Sequence, residues 1–157
     1  MTSSDTVSIM RTVAFTGTRN TAHRSLDEYA QIFGDYLQPF AGSHFYIGGA
    51  KGMDTLGLLW LAGNTKAAIT VVVPGRVDQQ PAEARQAITK CRDRIAEIVE
   101  LKAVELRSLA YHERNRYMVD RSSMVIGFPH HDEESSGTWQ TLNYAAALGR
   151  PRLIVPI

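Results

Sequence analysis

Three times in the first half of the sequence, a run of strand-type residues ends in a glycine turn and gives way to a stretch with helical periodicity. Thr12 to Thr16 ends at Gly17-Thr18-Arg19-Asn20. His44 to Ile47 ends at Gly48-Gly49-Ala50-Lys51-Gly52-Met53-Asp54, and Ala67 to Val73 ends at Pro74-Gly75-Arg76. Ile69-Thr70-Val71-Val72-Val73 is a nearly continuous apolar run, as expected of a strand buried on both faces. Alternation of such strands with helices requires a parallel sheet with right-handed crossovers. The chain is therefore expected to be an α/β protein, a single domain with a mainly parallel sheet flanked by helices on both faces. Ligands of such sheets gather at the carboxyl ends of the strands, where strand order reverses. The glycine turns should converge there.

The intervening stretches fit this frame. Leu26, Tyr29, Ala30, Phe33 and Leu37 recur at helical spacing, Ser25 and Glu28 form a capping box, and Pro39 ends the helix. Thr55 to Ala62 reads as the second helix. Pro81 opens a long amphipathic helix through about Val99, on which Cys91 falls in step with Ala84, Ile88, Ile95 and Ile98 as a buried structural thiol. Ala103 to Leu106 reads as a weak strand, Tyr111 to Ser122 as a polar helix and Met124 to Phe128 as a strand. Gly137 to about Leu148 is a helix closed by Gly149, and Arg152 to Val155 is the last strand. Residues 1–10 are polar and rich in Ser and Thr, and read as a flexible leader before a domain spanning 11–157.

Size and charge narrow the function. A chain of 157 residues, 44% hydrophobic, fills one domain with a full core. Its net charge of +1 supplies no global attraction to nucleic acid, so any such binding must rest on a local patch. The single cysteine excludes an internal disulfide, and no apolar run suits a membrane span; a cytoplasmic protein with no membrane partner is expected.

The dinucleotide pattern G-x-G-x-x-G fails at the first turn, where Arg19 and Ala22 stand at glycine positions, and no G-x-x-x-x-G-K-[ST] loop occurs. What remains is a set of residues suited to an anion. Arg19, Arg114 and Arg116 present planar forks to phosphate or carboxylate. Thr18, Thr138 and the N–H groups around Gly137, after Ser136, can hold a further oxygen at a helix start. Gly17, Gly48, Gly49, Gly52 and Gly75, with Ala50 and Pro74 beside them, permit close backbone approach. Asp54 can cap the second helix or accept from a ribose hydroxyl, and Asn115 can meet a base edge or brace its loop. Glu113 reads as an ion-pair partner of Arg114, or as a general base if the protein is an enzyme. The run His130-His131-Asp132-Glu133-Glu134 reads as a solvated loop rather than a metal site, because adjacent side chains point apart. Trp60 and Trp139 fall in helical apolar patterns that suit a core or a subunit interface.

Taken in order, Gly17-Thr18-Arg19, Gly48 to Asp54, Pro74-Gly75, His112-Glu113-Arg114-Asn115-Arg116 and Ser136-Gly137-Thr138 resemble the motifs of the SLOG superfamily of Rossmann-like domains. That superfamily includes DNA-processing protein A (Smf) and the Lonely-guy phosphoribohydrolases. The chain is more similar to the first. Its pattern is a Gly-Ser/Thr-Arg turn, a turn of the Ser-Gly-x-Ala-x-Gly-x-Asp type, an Arg-Asn-Arg, and a Ser-Gly-Ser/Thr followed three positions on by threonine, here Thr141. The phosphoribohydrolases share a His-x-Arg, matched by His112 to Arg114, but have a catalytic glutamate where this chain has Thr141. The resemblance implies a nucleotide or nucleotide-derived ligand, no required cofactor though a nucleotide or phosphate can be bound, and a homodimer or higher oligomer. Nucleoside monophosphate N-glycosidase activity, with Arg114 and Glu113 as its residues, is the alternative it implies. Single-stranded DNA binding ranks below both because of the near-neutral charge.

Overall fold

The structure is a computed structural model that describes residues 11–130 and 136–157. The leader at 1–10 and most of the histidine- and acid-rich run therefore lie outside the described residues. Six parallel strands form one sheet in the order β4-β3-β2-β1-β5-β6: β1 Thr12–Gly17, β2 His44–Gly48, β3 Ala68–Val73, β4 Glu97–Glu100, β5 Met124–Phe128 and β6 Arg152–Ile154. Five α-helices connect them: α1 Leu26–Tyr36, α2 Met53–Asn64, α3 Ala82–Lys90, α4 Ser108–Asp120 and α5 Gly137–Ala147. No described helix is long and apolar enough to cross a membrane.

Alternation along β1 divides the core. Val13 and Phe15 join Tyr29, Phe33, Met53 and Leu61 beneath α1 and α2, whereas Ala14 joins Met118, Val119, Leu142 and Ala145 beneath α4 and α5. Trp60 packs on the first cluster, its ring 6.1 Å from that of Phe33, and Trp139 packs on the second. Both tryptophans are partly buried core residues.

Local signals set the helix ends. The Ser25 hydroxyl accepts the Glu28 N–H while the Glu28 carboxylate accepts the Ser25 N–H, which closes the expected capping box. At the other end of the chain, Gly149 takes φ 71°. Its N–H reaches the Ala146 carbonyl, and the Arg150 N–H reaches that of Ala145, so α5 ends in a Schellman turn.

Two expectations need correction. The helix from Pro81 stops at Lys90, turns through a 3-10 segment Arg92–Arg94 and enters β4. The Arg94 guanidinium donates to the carbonyls of Thr65 and Ala67 in the connection between α2 and β3, which pins this turn and sends Ile98 and Val99 alongside Val71 and Val72. A strand of four residues, Glu97–Glu100, is too short to break the helical spacing of the apolar residues before it, so the spacing overran the true end. Cys91 is buried as expected, but Ile95 and Ile98 belong to the turn and strand beyond the helix. The second correction follows from the first. Residues 103–106 form no strand: Lys102, at φ 58°, leads a loop whose Lys102 and Ala103 N–H groups donate to the Gly75 and Pro74 carbonyls.

Candidate functional site

From the centre of the sheet, β1 is followed outward by β2, β3 and β4 on one side and flanked by β5 and β6 on the other. Strand order therefore reverses between β1 and β5, and the loops beyond their carboxyl ends part to leave a crevice. A cavity of about 860 Å3 opens there. Gly17, Thr18 and Arg19 come to it from β1, Ala50 and Asp54 from the turn after β2, Arg114 and Asn115 from α4, and Ser136, Gly137 and Thr138 from the start of α5.

The other candidates lie outside the cavity, and each has a structural task. Gly48 packs its backbone against the Arg114 guanidinium and the Asp54 carboxylate, leaving no room for a Cβ, which would stand 2.6 Å from Asp54 Oδ2. Gly49 packs on Val73, and Gly52 on the backbone of Arg19. Pro74 and Gly75 are buried beneath the loop after β4, whose N–H groups they accept. Glu113 is exposed and does not line the cavity. Arg116 turns toward α5, 5.1 Å from the centre of the Tyr144 ring.

The electrostatic centre is Arg114, only 5% exposed. Its Nε donates to Asn115 Oδ1 at 2.8 Å and Nη1 to the Val72 carbonyl at 3.3 Å. Asp54 faces it across Gly48, but it does not cap α2: Oδ2 accepts the Ala50 N–H at 3.3 Å, in the turn before the helix. Burial dominates both ionisations. It raises Asp54 to about 6, against the opposing pull of Arg114, the Ala50 N–H and Arg19, and it lowers Arg114 despite the attraction of Asp54. Among the described lining residues Asp54 is the one carboxylate, against three arginines, Arg19, Arg107 and Arg114.

Tyr111 gathers two of those cations. Its ring centre lies 4.9 Å from the Arg19 guanidinium and 5.7 Å from that of Arg114. Tyr111, Arg107, Ser108 and Gln140 line the cavity without having been singled out from the sequence, and His112, noted there only as part of a motif, lines it too. For Tyr111 a signal existed, since it precedes Arg114 by three positions on one helix and so shares its face. Arg107 and Ser108 carry no such pattern. At the start of α5, the Ser136 hydroxyl accepts the Trp139 N–H, which leaves the first-turn N–H groups of Gly137 and Thr138 at the positive end of the helix beside the cavity.

Because Asp54 titrates near 6 in the folded protein and near 3.8 when solvated, the native state holds the extra proton between those values. Stability from this group is therefore greatest at low pH and falls as pH rises from about 4 to 6, by up to about 3 kcal/mol. Urea unfolding across pH 4 to 7 should show this slope in the wild type and its loss in Asp54→Asn. An identical pH dependence in the two proteins would contradict the assignment.

A parallel sheet whose strand order reverses at an open crevice, lined by arginines and a helix start, defines a Rossmann-like α/β domain. More particularly, the chain belongs to the DNA recombination-mediator protein A family, whose model matches residues 4–157. Two solved structures share the fold. DNA processing protein A from Helicobacter pylori, whose single-stranded DNA binding mode has been described, superposes with TM-score 0.70 at 19% identity, covering 94% of this chain and 66% of that one. DNA processing protein A from Streptococcus pneumoniae gives 0.69 at 19% identity, covering 94% and 51%. The chain thus spans about two thirds of the first and half of the second. No curated protein matches it.

Proposed function

We propose that the cavity takes one nucleotide unit of single-stranded DNA, with its phosphate held between Arg19, Arg114 and the start of α5. The observation that carries this reading is the convergence of two guanidinium groups on Tyr111 in a cavity of about 860 Å3, a size that suits a nucleotide. Membership of the DNA recombination-mediator protein A family, and the DNA-binding relative from Helicobacter pylori, favour a strand over a free nucleotide as the form in which that unit arrives. The low net charge is compatible with this because the arginines are concentrated at one place. It also predicts a shallow salt dependence, about −0.7 in log–log slope for each phosphate neutralised.

Fluorescence anisotropy with labelled oligothymidylate tests the reading. Arg19 is exposed, so Arg19→Ala should leave folding intact while weakening binding about tenfold. Absence of binding at low salt, or an Arg19→Ala protein that binds like wild type, would overturn it.

A free nucleoside monophosphate is the second reading, favoured by the local confinement of the charge. Competition of AMP against the labelled strand separates the two, because a mononucleotide site would be emptied by AMP at concentrations that leave strand binding through a longer path largely intact. Hydrolysis of such a nucleotide has less support. The Thr141 hydroxyl at the position of the phosphoribohydrolase glutamate donates to the Gly137 carbonyl at 2.8 Å, and Glu113 stands outside the cavity.

A further inference from the structure

A second, smaller cavity of about 360 Å3 lies along the seam between α4 and α5. His112, Asn115 and Gln140 line both cavities, so the smaller one continues the larger through a shared wall. Asn115 is fixed at that wall: its Oδ1 is held by Arg114 Nε, which turns its amide nitrogen toward the start of α5, 3.9 Å from where a Gly137 Cβ would stand. Beyond it are Arg116, Asn143 and Tyr144.

The chemistry of this extension repeats that of the main cavity on a smaller scale. Arg116 is exposed and pairs with no carboxylate among the described residues. It rests over the Tyr144 ring, and that ring is itself held, its hydroxyl donating to Asp120 Oδ1 at 2.6 Å. The fork is thereby offered from a fixed platform rather than from a wandering side chain. His112 and Arg116 are four residues apart on α4, a separation of about 6 Å along the axis. Asn143 adds an exposed amide, able to donate to and accept from the edge of a base.

We infer that the α4–α5 seam is a second nucleotide subsite, in which Arg116 takes the next phosphodiester of a single strand and Asn143 meets the neighbouring base. The inference rests on the proposed reading of the main cavity, which it extends from one nucleotide to two. Arg116, which shares its sequence motif with Arg114, thus acquires a separate task one face away.

The test compares thymidine 5′-monophosphate with 5′-phosphorylated dithymidylate by calorimetric titration. Wild type should bind the dinucleotide about tenfold more tightly than the mononucleotide, and Arg116→Ala should abolish that gain while leaving mononucleotide affinity unchanged. The salt slope for the dinucleotide should fall by about 0.7 in the same variant. Asn143→Ala should reduce the gain without changing the slope. Equal affinity of wild type for the two ligands, or a full gain retained in Arg116→Ala, overturns the second subsite. Failure of the underlying reading looks different: neither ligand binds wild type, or Arg19→Ala binds both as wild type does.

Discussion

Replacing Arg114 by alanine is expected to cost about 3–5 kcal/mol of folding stability, because one member of a buried charged pair is removed and the other is left behind. The arithmetic follows from burial. Arg114 and Asp54 are 5% and 7% exposed, and burial already outweighs their mutual attraction in both ionisations. Without the guanidinium, the Val72 carbonyl and Asn115 Oδ1 also lose a donor. Asp54 would then be driven further toward its neutral form. The loss should accordingly be smaller at pH 5 than at pH 7, and the double variant Arg114→Met with Asp54→Asn should recover most of it, since it removes both charges. Urea unfolding at the two pH values measures this. A single-variant loss below about 1 kcal/mol, the scale of an exposed ion pair, would show that the pair is not desolvated. Ligand binding should vanish in the single variant and should not return in the double one, which separates the role of Arg114 in the cavity from its role in the core.

Gly52→Ala is the second large effect, at about 3–5 kcal/mol when backbone strain and overpacking are combined. Gly52 adopts φ 77° and ψ −127°, a conformation that side chains rarely tolerate. A Cβ there would stand 2.5 Å from the carbonyl oxygen of Arg19 and 2.7 Å from its Cα. These are backbone atoms, so no rotamer change relieves the contact. The turn they belong to is the one that carries Arg19 into the cavity, and the Met53 N–H donates to the Thr18 carbonyl from the next position. Displacement of Gly52 therefore also moves Arg19, and the surviving folded protein should bind oligothymidylate more weakly than wild type. Gly34→Ala is the control, since nothing lies within 4 Å of the added carbon and the change should stay near neutral. Comparable stability of the Gly52 and Gly34 variants would refute the packing of the second turn against the first.

These two residues also mark how much of the site could be read in advance. The glycines of the second turn attract attention as a ligand cradle, yet Gly48, Gly49 and Gly52 line no part of the cavity. Their requirement for hydrogen in place of a side chain comes from Arg114, Val73 and Arg19, which pack against them. A sequence shows that a position is glycine but not which neighbour demands it. Arg114 and Arg116 present the converse case. As adjacent members of one motif they look equivalent, but residues two apart on a helix point in nearly opposite directions, and one is buried at the cavity while the other lies over Tyr144. Helical geometry alone would have separated them.

What the sequence determined by itself is the alternation of elements, the Ser25–Glu28 cap, the stop at Gly149 and the placement of glycine turns after β1 and β2, because each depends on residues within a few positions of one another. It also carries the family, through motifs kept in order along the chain. Tertiary structure decided the rest. It cut the third helix at Lys90, because Arg94 binds carbonyls just ahead of β3, and it brought Arg19 to Tyr111 and Arg114 to Val72. Those contacts join segments far apart in the chain, and their energies come from desolvation, which depends on what surrounds a group in space rather than on what precedes it in sequence.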